Sequence, residues 1–539
     1  MQNNHRIEPM STDISSTYNQ SGIQLNYIRT IDDNHKINTD ASLSDVKYNS
    51  ITNYFQKNFN KCHCLHVEKR GIERILPEDR TDLRIMNTAM IWVGANIIIP
   101  TFTVGMLGPA VFKLDLYTSF VTIIIINLLA CIPVGIIACF GPASGLRTMI
   151  FSRYSWGYYG ASIVSILNII VALGWAAVSS ITGAQILRVV FDDLLPVAVG
   201  IIIISVVSMI VSFVGYNWIH IYERYAWIPI VIAYCILAGI GAKYFTHSQT
   251  VFPDETISNN GRHYQKIIYI INFGAICLGG SIVWSSFAAD YNTYFPQDTN
   301  QLKIFLLTYI GNIISVIPLE LLGAAVYTGT YRNSKWADAY KNDNVGGLLG
   351  ASLSPLGGFR KFLLILFALS TVACNIPNVY SYSLSMQVSA PIFERIPRFL
   401  YTVIGTVIYA LMAIFAANNF NDSLTLFVDL TSYFFGIYLV IVFEDHLIFR
   451  RCSFKNYNFN ICDNRKKLPI GLAAILSSFV GIVGIALGMS QTWFSGPIAK
   501  AIANDSGERG ANVGFIFGFI FTGIVFPLFR FIELYFIGR

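Results

Sequence analysis

The chain has 539 residues, 54% of them hydrophobic and only 13% charged, with a mean hydropathy of +0.53. Soluble proteins carry roughly 25% charged residues, so this composition describes an all-α polytopic membrane protein. The net charge of +6 comes mostly from tails and loops, and no nucleic-acid partner is expected.

Residues 1–85 are rich in Asn, Ser, Thr and Asp with little hydrophobic pattern, and are expected to form a mostly disordered cytoplasmic tail. No short apolar core follows a basic start, so the first membrane segment is expected to act as its own insertion signal. Within the tail, Cys62-His63-Cys64-Leu65-His66 has metal-ligand residue types. Its spacing is tighter than that of ordinary zinc modules and no second ligand pair is near, so a flexible tail is favoured and no metal is expected. The stretch 70–82 mixes charges with aliphatics and is expected to lie against the cytoplasmic face.

Apolar segments follow at about 88–112, 117–140, 161–190, 196–215, 224–245, 265–289, 302–330, 361–390, 398–417, 424–443, 468–493 and 512–533. These are about twelve transmembrane helices in the bilayer, each near the roughly 20 residues a span requires. The expected organisation is a transport core over 86–443, a cytoplasmic loop over 444–467 and two additional helices over 468–539. Arg147, Arg153, Arg395, Arg398, Arg450, Arg451, Lys455, Arg465, Lys466 and Lys467 fall on the side of the amino-terminal tail. The positive-inside rule therefore puts both termini in the cytoplasm, and the plasma membrane is the expected location. Basic residues in the loop 332–361 oppose this bias, but long loops count for less. Asn504-Asp505-Ser506 is a glycosylation sequon on an expected outer loop, a weak signal. Cys131, Cys139, Cys235, Cys277 and Cys374 lie in apolar segments and read as small hydrophobes.

Two segments are interrupted. The first reads Gly94-Ala95-Asn96-Ile97-Ile98-Ile99-Pro100-Thr101, and the sixth reads Gly274-Ala275-Ile276-Cys277-Leu278-Gly279-Gly280-Ser281. Paired interruptions five helices apart mark an inverted-repeat transporter with its site at the breaks, and the matched pair favours broken helices over glycines that merely permit close packing. Trp175 in the third segment and Trp284 in the sixth have small neighbours that leave room for a flat ligand. Ser179 follows Trp175 by one helical turn and shares its face.

The eighth segment contains Ser370-Thr371-Val372-Ala373-Cys374-Asn375-Ile376-Pro377-Asn378, a polar stretch at a depth where lipid satisfies no hydrogen bond. Pro377 withholds the donor that the Ala373 carbonyl would use. Asn375 carries a donor and an acceptor side by side, as reading a nucleobase edge requires. The hydroxyls of Ser370 and Thr371 could complete a small-cation site with carbonyls freed in the first segment, or bond back to their own helix. Glu223, Asp290, Glu320 and Asp429 fall in or beside apolar runs, where acidic groups default to functional roles. Glu223, next to Arg224, suits a gate or ion pair as well as proton carriage. Asp290 could equally cap a helix, and Glu320 and Asp429 lie deeper with no partner named by the sequence. No nucleophile motif, phosphate-binding loop or His-rich box is present. Neither an enzyme nor a cofactor is expected.

From about residue 70 to 539 the chain resembles the fungal purine–cytosine permeases, a branch of the nucleobase–cation symporter family. The resemblance rests on Arg70-Gly71-Ile72-Glu73-Arg74, Phe140-Gly141-Pro142 with Leu146-Arg147 and Ser152-Arg153-Tyr154, and Gly174-Trp175. It continues with Ala288-Ala289-Asp290-Tyr291, Asn375-Ile376-Pro377-Asn378, Lys467-Leu468-Pro469-Ile470-Gly471 and Phe536-Ile537-Gly538-Arg539. It implies a five-plus-five inverted repeat with helices one and six broken and two further helices. It also implies alternating access and uptake of a nucleobase driven by a cation, a proton in the fungal members. In such a site Trp175 and Trp284 would hold the base. Gly94, Ser179, Cys374 and Asn375 would stand at its edge, Ser370 and Thr371 at the cation, and Glu223 at an acidic position linked to transport.

Three positions depart from that pattern. Ser179 and Cys374 stand where the family usually has Asn, and Gly94 stands where it often has Ser. Each change removes hydrogen-bonding capacity beside the expected ligand. A vitamin B6 carrier of the same family and a non-transporting membrane sensor therefore stay open as alternatives to a purine or cytosine symporter.

Overall fold

The structure, a computed structural model, describes residues 71–213, 225–246, 259–394, 396, 398–503 and 510–539. The Cys62–His66 stretch of the tail, Glu223 with Arg224, and the sequon at 504–506 lie outside the described residues.

Among the described residues, twelve apolar helical segments follow one another. Met86–Asn96 (α1a) and Ile99–Ala110 (α1b) make one bent span, followed by Leu116–Ala138 (α2), Arg153–Val190 (α3), Val197–Phe213 (α4) and Trp227–Gly241 (α5). Then come Asn259–Ile282 (α6), Gln301–Thr328 (α7), Phe359–Ser389 (α8), Arg398–Ala416 (α9), Phe420–Glu444 (α10), Leu472–Gly488 (α11) and Gly514–Ile537 (α12). Among the described residues there is no β-strand, only an isolated bridge between Ser490 and Ser495. Exposed Ile125, Leu129, Ile163, Ile524 and Phe531 form part of an apolar outer surface. Water would penalise such a surface and lipid does not.

The first span breaks where the sequence stops favouring a helix. Ile97 (φ −81°, ψ 69°) and Ile98 (φ −140°, ψ 158°) leave helical geometry, and the two halves meet at 56°. Three consecutive β-branched isoleucines favour extended backbone. Pro100 then opens α1b in its first turn, where a missing N–H costs nothing.

The sixth span behaves differently from the sequence expectation. It stays α-helical through Gly274, Gly279, Gly280 and Ser281, and unwinds only afterwards, into a 3₁₀ turn at Val283–Ser286 and non-helical Phe287 (φ −141°, ψ 16°). Gly279 serves packing instead: a Cβ on it would stand 2.5 Å from the Val428 carbonyl oxygen of α10. The interruption exists, but it lies one turn past the glycines that suggested it.

Around the central spans, α3 packs along α8, and α7 packs against α1a, α1b and α2. On the side where residues 71–85 enter, Arg80 donates to the carbonyls of Ile75, Pro142 and Ser144 at 3.0, 2.7 and 3.0 Å. Burial, and then the Arg74 cation nearby, pull the Arg80 guanidinium down to about 10. It stays charged at neutral pH and can hold all three acceptors. Asp290 accepts from Thr148 N and Oγ1 at 2.7 and 3.0 Å, and Arg147 donates to its carbonyl at 3.1 Å. Asp290, beyond the unwound end of α6, thus caps the short helix Thr148–Phe151 between α2 and α3.

Candidate functional site

A cavity lies at the break of the first span. Asn96, Ile98, Pro100, Thr101 and Val104 line it from the two halves of that span, Trp175 from α3, and Cys374 and Asn378 from α8. Gly280, Ser281, Val283, Trp284 and Phe287 come from α6 and its unwound end, and Val316 and Glu320 from α7. Most of its wall is apolar, as in small-molecule sites generally.

Both candidate tryptophans line this cavity and are more than nine-tenths buried. Trp284 is held by edge-on contacts with Trp92 (5.7 Å, 80°) and Phe287 (5.3 Å, 77°), and Trp175 by one with Phe427 (5.7 Å, 74°). Such pairs are worth about 0.5–1.5 kcal/mol each and fix ring orientation. Gly174, next to Trp175, lets Phe427 approach, since a Cβ there would overlap that ring.

The polar stretch of α8 divides between two faces. Ser370, Cys374 and Asn378 recur at i, i+4 and i+8 and share one face. Cys374 and Asn378 line the cavity, and Ser370 Oγ receives the Ile99 N–H at the start of α1b (3.4 Å) while donating to Phe367 O (2.6 Å). Asn378 Nδ2 donates to Cys374 O at 3.0 Å. Thr371 and Asn375 occupy the other face. Asn375 Nδ2 donates to Ser180 Oγ of α3 and Ser208 Oγ of α4, both at 3.2 Å. Thr371 Oγ1 bonds back to Ala368 O (2.7 Å) and is packed against Gly183 of α3.

The eighth-helix amide on the cavity is therefore that of Asn378. Asn375, the expected edge reader, joins α3, α4 and α8 instead, because the 100° step between successive residues turns it away from Cys374. Ser179 lies behind the cavity wall, its hydroxyl bonded to Trp175 O at 2.9 Å and facing the Cys374 thiol. Gly94 is in α1a and does not line the cavity. Ser370 does lie against the helix-one break, whereas Thr371 faces α3, so the two hydroxyls diverge.

Three lining groups that the sequence reading did not assign to the site are Asn96, Asn378 and Glu320. Asn96 Nδ2 donates to Trp92 O (2.9 Å) and to Asn312 Oδ1 (3.0 Å). Among the described residues, Asn96 Oδ1 and the indole N–H of Trp175 have no hydrogen-bond partner, although both are buried. Buried polar atoms in folded proteins are nearly always satisfied, so an orphan acceptor and an orphan donor on one cavity wall suit a bound polar molecule. Asp429, the other deep carboxyl, lies elsewhere: its Oδ2 accepts from Gln491 at 2.8 Å, and Tyr433 OH carries the chain on to Asn512 at 2.5 Å.

Residues 75–496 match the family described as permease for cytosine/purines, uracil, thiamine and allantoin. A purine-cytosine permease of Emericella nidulans is 38% identical over 476 residues, which cover 88% of this chain and 90% of that permease. A vitamin B6 transporter of Saccharomyces cerevisiae is 27% identical over 526 residues, covering 89% of this chain and 90% of that protein. Among solved structures, a nucleobase-cation-symport-1 family transporter in a closed conformation with bromovinylhydantoin bound superposes with a TM-score of 0.63. It is 13% identical and the match covers 87% of this chain and 96% of that one. This likeness identifies the architecture as the five-plus-five inverted repeat with two helices appended.

Proposed function

The chain belongs to the family of permeases for cytosine/purines, uracil, thiamine and allantoin, and from that premise we propose that this membrane transporter carries a purine or cytosine nucleobase by proton-coupled symport. It works by alternating access in the plasma membrane, with both termini in the cytoplasm. The observation that carries this reading is the cavity lined by Trp175 and Trp284, with an unpartnered N–H on Trp175 and an unpartnered oxygen on Asn96. A nucleobase is flat and presents donors and acceptors around its rim. One face suits the Trp284 indole, where stacking contributes about 1–3 kcal/mol per base, and its rim suits the orphan pair on Trp175 and Asn96. Asn378, whose amino group already bonds the Cys374 carbonyl, offers its oxygen as a further acceptor. Ser370, at the helix-one break, is the better placed of the two coupling hydroxyls.

A second reading, vitamin B6 as substrate, draws on the edge chemistry. The thiol of Cys374 and the hydroxyl of Ser179 face each other, and the hydroxyl bonds its own helix, so neither supplies an amide edge. A site that pairs a ligand's polar groups rejects an analogue lacking them by roughly 10⁴ or more, so this difference bears directly on ligand choice.

Uptake of radiolabelled cytosine, adenine, hypoxanthine and pyridoxine, in cells lacking their own carriers and with or without a protonophore, tests both readings. Saturable uptake of cytosine or a purine that collapses with the proton gradient is the expected result. Saturable pyridoxine uptake alone would select the second reading. No saturable uptake of any of the four would point to a sensor, and uptake that survives the protonophore would remove the proton.

A further inference from the structure

Glu320 sits in α7 with 1% of its surface exposed, and it lines the cavity. Everything around it is neutral. Asn127 of α2 donates Nδ2 to Glu320 Oε2 at 2.6 Å, and the Asn127 oxygen receives the hydroxyl of Ser281 from α6. The titratable groups facing it are the thiols of Cys131 on α2 and Cys277 on α6. From α1b, Gly105 presents only backbone, so close that a Cβ would overlap the Glu320 carbonyl. No Lys, Arg or His among the described residues pairs with the carboxyl.

A carboxylate at this depth with one amide as its strong donor is costly. A group that can shed its charge by binding a proton, and regain it when the cavity opens to water, avoids that cost for most of a transport cycle. We propose that Glu320 is the group that loads and releases the coupling proton, with Asn127 and Ser281 as positioning residues that link it to ligand occupancy. The proposal rests on the proton-coupled reading above. The link follows from hydrogen-bond direction. Because Ser281 donates to the Asn127 oxygen, the Asn127 amino group is turned toward Glu320. Ser281 also lines the cavity, so a ligand acceptor that claims its hydroxyl releases the Asn127 oxygen and changes the donor that Glu320 meets. Ligand and proton then bias each other's binding, and the coupling is reciprocal. The chemical step is small: the carboxyl O–H breaks, water takes the proton on the release side, and the carboxylate regains one from water on the loading side.

The test uses the full-length protein in proteoliposomes with radiolabelled cytosine. In the wild type an acidic outside drives accumulation, whereas counterflow exchange needs no gradient. Glu320→Gln is expected to lose gradient-driven accumulation far more than exchange, and to lose the pH dependence of uptake. Glu320→Asp, kept for the event that the amide fails to fold, is expected to accumulate cytosine with a displaced pH profile. Wild-type accumulation and profile in either folded variant would overturn the assignment to Glu320 alone. A wild type that moves cytosine but ignores the gradient would overturn the coupling reading, and this proposal with it. Should cytosine not be moved, infrared titration still decides: a protonated-carboxyl band present in the wild type and missing from Glu320→Gln supports the assignment, and its absence from the wild type overturns it.

Discussion

Along α8, side chains one residue apart do unrelated work, because each step turns the helix by 100°. Cys374 and Asn378 meet the cavity, while Asn375 is spent on Ser180 and Ser208. Asn378→Ala is accordingly expected to raise the KM for uptake with little change in thermal stability. Asn375→Ala should lower the unfolding temperature in detergent and leave KM in place, since interhelical hydrogen bonds in membranes are worth about 0.6 kcal/mol each. Trp284→Ala should weaken ligand binding by roughly five- to 150-fold, the equivalent of the 1–3 kcal/mol that stacking supplies; a binding isotherm on purified protein checks it. The double change Ser179→Asn with Cys374→Asn should move selectivity among cytosine, purines and pyridoxine in a competition assay. That both tryptophans line the cavity was legible in sequence, because each is a large aromatic with small residues within a turn of it, well inside an apolar segment. The choice between Asn375 and Asn378 was not, because both belong to one short polar run and only the rotation of α8 against α3 and α4 separates them.

At the scale of elements, the two interrupted spans have different causes. The first breaks at an isoleucine run followed by proline, and that signal is local, so it can be read from the chain. The sixth keeps its helix through four residues that looked like breakers, and among them Gly279 serves the close approach of α10. A glycine that bends a helix and one that admits a neighbour look alike until the neighbour is known. Gly105 is of the second kind, with α1b lying on the backbone of α7 at Glu320. Gly105→Val should therefore cost at least the 1–3 kcal/mol typical of overpacking, seen as a lowered unfolding temperature and reduced yield of folded protein.

Across the molecule, basic residues that mark topology in the sequence turn out to be spent on specific partners. Arg153 bonds the Cys462 carbonyl at 3.0 Å and Asp463 at 2.5 Å, and Arg450 stands 3.6 Å from Asp445. Arg530 of α12 reaches both Asp445 (3.6 Å) and Glu533 (3.1 Å), and Glu533 in turn receives the Gly471 N–H (2.9 Å) at the start of α11. The two appended helices are thus fastened to the end of α10 by buried charge. Arg530→Ala, which leaves Asp445 only Arg450 and Glu533 only backbone N–H donors, should cost up to about 3–5 kcal/mol, measurable as a fall in unfolding temperature. Sequence alone could count these charges but not pair them, since their partners lie in other segments. The wall of the central cavity presents the opposite situation, with Glu320 its one carboxyl and no cation opposite. Cargo without charge, entering with one proton on that carboxyl, makes each turnover a displacement of one elementary charge, so transport would be a current. A membrane voltage of 100 mV supplies about 2.3 kcal/mol per charge, enough for roughly forty-fold accumulation at 1.4 kcal/mol per tenfold. Voltage-clamp recording should then show an inward current evoked by substrate that grows with hyperpolarisation and disappears in Glu320→Gln.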